Sequence, residues 1–280
     1  MKDTDFIFAS AYMRTLENKM LGRADYEALL SAPSHEYALR YLSDKGYRGG
    51  REELVYAWNE VKDACPKGAP LHVLLYQNDF HNLKTILKAV FSGDSAAYTP
   101  LMLEPHTISP EVFHRAVTEG KLESLPDPFK EPALEAYQIL ARDSDGQAAE
   151  IALDKALFSA MREAALQSKN DFLIGWVDLN IMLINTKTAL RGGAQSAMPG
   201  DGEIASDAPK ASITALELWC DNQLISYLRQ ARNITFGFAP VFGFLVGKQF
   251  EAQAVRLILS GLRRGIPAEA LRERMRDLYV

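Results

Sequence analysis

Apolar residues recur at intervals of three and four along almost the whole chain, and no stretch alternates strictly between apolar and polar positions. That period lines apolar side chains along one face of a helix, so an all-α fold is predicted. Expected helices cover residues 6–21, 25–30, 34–43, 52–64, 71–91, 131–143, 147–167, 169–190 and 212–230. Two starts carry specific chemistry. Ser34 offers a hydroxyl to an unpaired amide, and Ser109-Pro110-Glu111 combines a cap, a proline at the first helical position and an acid facing the positive helix end. A last segment, 267–279, opens with proline.

Within this helical pattern a fifteen-residue module occurs three times: DFHNLKTILKAVFSG (79–93), DLNIMLINTKTALRG (178–192) and EAQAVRLILSGLRRG (251–265). Each copy opens with a carboxylate (Asp79, Asp178, Glu251), expected in the first turn of its helix. Each closes on a glycine (Gly93, Gly192, Gly265) that can take the left-handed conformation ending a helix. Leu83, Met182 and Val255 align between them, as do Val90, Ala189 and Leu262. A second correspondence is a pair of acids four residues apart on one helix face, Glu150/Asp154 and again Glu217/Asp221. Repeated units of this kind build scaffolds. Pro100, Pro105 and Pro110 break the chain once, and the Gly/Pro/Ser-rich stretch 192–210, expected to be a flexible loop, breaks it again. Three helical domains are therefore expected, at 1–104, 105–208 and 209–280.

Composition narrows the function class. The chain has 280 residues, 48% hydrophobic and 24% charged, with a formal charge of −5. This is the profile of a soluble globular protein and lacks the basic excess of a nucleic-acid binder. Cys65 and Cys220 are too far apart in sequence to form a ligand pair and point to a reducing compartment, and Asp3 and Asp5 stand where a secretory leader needs positive charge. An intracellular protein is expected. The most apolar stretch, ITFGFAPVFGFLVG (234–247), has fourteen residues where a spanning helix needs about 20. Gly237, Pro240 and Gly243 are expected to break its helix.

Motifs for chemistry are missing or incomplete. Gly243 to Lys248 resembles a phosphate-binding loop, but the glycine spacing is one residue short and Gln249 replaces the hydroxyl residue that reaches magnesium. The five histidines show no ligand spacing. The paired acids resemble half of a di-iron site but lack its Glu-x-x-His partners, which favours ion pairs between helices. No catalytic residue, cofactor, metal ligand or small-molecule substrate is expected. Candidate interface residues are the module tips Ser92, Arg191, Arg263 and Arg264, together with Arg272 and Arg276 of the arginine-rich C-terminal region, which an acidic protein partner would suit. Candidate structural polar residues are Asn82, Lys84, Lys88, Glu150, Asp154, Glu217, Asp221 and Arg256.

Several segments together resemble one family. They are AYMRTLENKML, DYEALLSAPSHEYALRYLSDKGY, NDFHNLKTILKAVFSG, AAEIALDKALFSAM, ALELWCDNQLISYL and the final FGFAPVFGFLVGKQFEAQAVRLILSGLRRGIPAEALRERMRDLYV. The chain resembles the C subunits of the V-type (A/V-type) rotary ATPases and ATP synthases, counterparts of the eukaryotic d subunit, over nearly its whole length. It differs at Gln249, where that family usually has Glu, and at Leu183, where an arginine-like residue is usual. The resemblance implies a funnel-shaped protein of three similar helical domains in a pseudo-threefold arrangement. It also implies a non-catalytic place in the central stalk, on the cytoplasmic face of the membrane and held there by protein contacts. The partners implied are the central shaft subunits and the membrane rotor ring, with no membrane span of its own. A helical-repeat adaptor with an unrelated partner, and an enzyme using the paired acids with a metal, remain as alternatives from the residues alone.

Overall fold

The computed structural model describes residues 1–94, 98–192, 197–199, 204–210 and 212–280, and among them every regular element is helical. The order is α1 (Ile7–Glu17), α2 (Arg23–Leu30), α3 (His35–Asp44), α4 (Gly50–Ala64), α5 (His72–Phe91), α6 (Pro110–Thr118), α7 (Lys130–Asp143), α8 (Gly146–Ser168), α9 (Asp171–Leu190), α10 (Ile213–Arg229), α11 (Phe238–Arg263) and α12 (Ala268–Arg272), with short 3-10 turns between some of them. The predicted starts hold in position, although the Ser109 hydroxyl donates to Glu111 and caps no amide. Ser34 Oγ accepts the Tyr37 amide at 3.2 Å, and Pro110 is the first residue of α6.

Packing gathers the chain into two units, Met1–Ala69 with Ser206–Val280, and Pro70–Ala205. These cut across the three sequence segments 1–104, 105–208 and 209–280. In the first unit α11 is the axis, in contact with α1, α3, α4, α10 and α12. Its sequence is apolar on nearly every side, and from Phe238 to Gly247 every residue is buried. A helix apolar all round must be enclosed by others. Leu21, Tyr26, Leu29, Leu30, Ala38 and Leu42 pack on its C-terminal half. In the second unit α5 lies against α6 and α8, and α8 against α7 and α9. Its core centres on Phe129, whose ring meets Phe80 at 5.1 Å and Phe113 at 5.3 Å.

The expected helix break occurs at Gly237, before which residues 234–236 are not helical, but not at Pro240 or Gly243. Pro240 stands in the first turn of α11, where its missing N–H has no helical partner to lose. Gly237 is the cap, at φ 128°, and a Cβ there would sit 2.9 Å from Asp3 Oδ1. Gly243 and Gly247 instead let another segment approach: a Cβ would lie 2.6 Å from Tyr279 Oη at the first and 2.5 Å from Tyr279 Cδ1 at the second. Each glycine costs the helix about 1 kcal/mol against alanine. Burial of the Tyr279 ring, 3% exposed, offsets that cost. G247A is expected to lower stability by about 1–3 kcal/mol in urea unfolding, and to cost far less in a Y279A background where the ring is gone.

Candidate functional site

Polar side chains placed inside the helical packing are the distinctive chemistry of both units. In the first, Lys248 projects from α11 into an apolar setting and is 6% exposed. Its Nζ donates to Glu53 Oε1 of α4 at 2.8 Å and to Glu251 Oε1 at 2.6 Å. Glu251 Oε2 accepts the Leu21 amide at 2.7 Å, and Glu53 Oε2 accepts the Arg48 amide at 3.1 Å. Burial pushes the Glu251 carboxyl above its ordinary pKa, against the pull of the Lys248 ammonium. With Arg48 Nη1 3.9 Å from Glu53, two cations face two anions in the group. The near-match to a phosphate loop therefore has its lysine occupied by carboxylates.

A second network closes the same unit. Tyr279 Oη donates to Glu17 Oε1 at 2.7 Å, and Arg14 Nη1 to Glu17 Oε2 at 2.7 Å. Arg14 Nη2 also donates to the carbonyls of Ala231 (2.8 Å) and Ile234 (2.9 Å). Cys65 is not a nucleophile in waiting, because burial pushes its thiol up to about 12.

In the second unit the expected structural residues come together. Lys84 Nζ meets Asp154 at 2.6 Å and Lys88 pairs with Glu150, an antiparallel ladder between α5 and α8. Asn82, fully buried, donates to Leu103 O at 3.0 Å and accepts Leu103 N–H at 2.8 Å. Asn185 of α9 repeats this clamp on Met198, at 3.3 and 2.7 Å, and Thr186 Oγ1 accepts the Ala205 amide at 3.0 Å. Of the stretch expected as a loose loop, residues 193–196 and 200–203 lie outside the described residues, and Met198 and Ala208 are buried.

The modules differ from expectation at their acidic ends. Their glycines do end helices, with φ of 80° at Gly93, 82° at Gly192 and 67° at Gly265. Their acids are not in first turns: Asp79, Asp178 and Glu251 lie well inside α5, α9 and α11. Asp79 is fully buried and accepts from Thr107 N–H (2.9 Å), Ile108 N–H (3.1 Å) and Thr107 Oγ1 (2.6 Å). Burial nevertheless holds its carboxyl above the usual range. Asp178 accepts from Arg162 Nε at 2.9 Å. These acids bind segments beside the helix and do not cap the helix dipole. Sequence reasoning missed Glu53, Lys248, Asn185 and the Arg14–Glu17–Tyr279 set. The available signal was a charged or amide residue within a continuous apolar face.

The candidate interface residues separate into two kinds. Arg272 is bound to Glu27 at 2.8 Å and Glu269 at 2.7 Å, and Arg276 to Asp221 at 2.9 Å. Glu217 is exposed on α10. Ser92 and Arg191 are exposed at the ends of α5 and α9, the Ser92 hydroxyl donating to Ala89 O at 3.0 Å. Arg263 and Arg264 are exposed at the end of α11 and, like Arg256, form no ion pair among the described residues. No helix among the described residues is long and apolar enough to cross a membrane, and no three His, Cys, Asp or Glu side chains there form a metal-binding group.

A family model described as "ATP synthase (C/AC39) subunit" matches residues 9–202 and 196–274. The chain belongs to that family. Among relatives, it is 23% identical over 264 residues to the C subunit of the V-type sodium ATPase of Enterococcus hirae, covering 80% of this chain and 79% of that one. A family member of this kind is a rotary-ATPase subunit with protein partners in its complex.

Removing the buried ammonium leaves Glu251 without a counter-charge and Glu53 with Arg48 alone. K248M is expected to destabilise by about 3–5 kcal/mol, against at most about 1 kcal/mol for K84A at the partly exposed ladder. The pH dependence has a definite sign. A carboxyl whose folded pKa is raised binds protons more readily in the native state, so its contribution is present at low pH and is lost as pH rises through the folded value. Without Lys248 that value rises further, so the K248M deficit should be largest near neutral pH and shrink on acidification, as read by urea unfolding across pH.

Proposed function

We propose that this chain is a non-catalytic central-stalk subunit. In this reading it couples the rotating shaft of the catalytic head to the membrane ring, linking ATP hydrolysis or synthesis to proton or sodium transport. Family membership is the observation that carries the reading. The Enterococcus hirae relative is named for a sodium ATPase. The internal chemistry supports it: Lys248, Lys84, Lys88, Asn82, Asp79 and Tyr279 all hold helices to neighbouring segments. A part that transmits torque needs stiffness, and densely packed helices yield little under strain. The protein would sit peripherally on the cytoplasmic face of the membrane, bound through the shaft and ring. Its three glycine-ended modules would mark three related helical units.

Purification of a tagged chain from its own cells is expected to bring down shaft, head and ring subunits of a rotary ATPase. Deleting its gene should leave a head with ATPase activity that no longer drives ion transport. Normal assembly and coupled transport in the deletion strain would overturn the proposal. A single stable partner outside any ATPase would point to an adaptor instead. The purified chain alone is expected to hydrolyse no ATP and to carry no stoichiometric metal by elemental analysis.

A further inference from the structure

One face of α11 presents an unmatched positive charge. Ala252, Val255, Arg256, Leu259, Ser260 and Arg263 recur at helical spacing along it, and with His35 and Gly50 they line a surface pocket of about 200 Å³. The pocket contains two guanidiniums and no carboxylate, in a chain whose net charge is −5. Glu36, next to His35 in sequence, contacts it at 4.0 Å, and Glu251, next to Ala252, is bound to Lys248; neither lines the pocket. Elsewhere in this unit Arg14, Arg272 and Arg276 all meet carboxylates, whereas Arg256 and Arg263 are exposed and pair with none among the described residues.

We infer that this face of α11 is a docking groove for an acidic polypeptide segment of a neighbouring subunit in the rotary complex. The inference rests on the rotor reading and gives that reading a contact. Charge complementarity selects the occupant's sign, and geometry selects its size. Arg256 and Arg263 stand seven residues apart, about 10 Å along the helix, a span that two carboxylates on one extended segment can match. Leu259, partly exposed, lies between them, while Val255 and Ala252 beneath are already buried in the unit's own core. A segment with two carboxylates at matching spacing around an apolar residue would satisfy both guanidiniums with charge-assisted hydrogen bonds and rest that residue on Leu259.

The test uses the full chain in its complex. The R256E/R263E variant changes two exposed side chains, and thermal unfolding checks that it folds as the wild type does. Its retention of the other ATPase subunits is expected to fall about tenfold, with the wild-type contact weakening as salt rises. In parallel, R256K/R263K complexes are treated with a zero-length carbodiimide, and a cross-link from either lysine to an Asp or Glu of another subunit is expected by mass spectrometry. Undiminished retention of R256E/R263E, or cross-links confined to this chain, would overturn the groove while leaving the rotor reading intact. A wild-type chain that retains no ATPase subunit removes the rotor reading and the groove with it. Thermal stabilisation by inorganic phosphate that is lost in R256E/R263E would assign the pocket to a small anion and overturn the polypeptide.

Discussion

The enclosed ammonium of Lys248 is the constraint on which the first unit depends. A charge in that position can exist only if carboxylates reach it, and the two that do come from α4 and from the next turn of α11. Those acids in turn need their remaining lone pairs filled, which Leu21 N–H and Arg48 N–H do. Each requirement fixes another segment: the α1–α2 connection, the start of α4 and the register of α11. Apolar packing alone would tolerate a helix sliding or rotating by a fraction of a turn. A buried ion group with directional partners does not, and this is its use in spite of its desolvation cost.

The second unit reaches the same end with mostly neutral chemistry. Asn82 and Asn185 each clasp both backbone groups of one residue in the segment that returns along the helix, Leu103 and Met198. An amide side chain has one donor and one acceptor facing the same way, so it can complete an extended backbone as a neighbouring strand would. The irregular segments are thereby fixed to the helices beside them without any sheet. The cationic ladder of Lys84 and Lys88 sits nearer the surface, where water shares the charge and mispairing costs little.

Helix periods, the serine and proline starts and the glycine stops are legible in the sequence because they are local: each depends on residues within one turn. The pairing of Glu150/Asp154 with Lys84/Lys88 is foreseeable as chemistry, since acids four apart on one face call for a facing cation. The role of Asp79 is not, because an acid near a helix start and an acid binding a distant amide look alike in one dimension. Gly243 looks like a helix breaker and Gly247 like part of a phosphate loop for the same reason: their purpose lies in Tyr279, more than thirty residues away. Arg272 and Arg276 look equivalent to Arg263 and Arg264, and only the fold separates the pair already neutralised from the pair left exposed. The division of the chain into units is the least legible feature, because helical period says nothing about which helices meet.

That division has a consequence for how the chain is made. The first unit is discontinuous, built from residues 1–69 and 206–280, with the whole of 70–205 as an excursion between them. On the ribosome, α1 to α4 emerge first yet lack the helix they enclose, and the acid Glu53 waits for Lys248. The intervening unit has all its own helices and can complete first, so the order of folding would invert the order of synthesis for the N-terminal segment. During that interval the apolar faces of α1 and α4 are uncovered, and chaperone binding would be concentrated there. Once α11 arrives and Tyr279 seats against its glycines, the ends of the described chain lock each other.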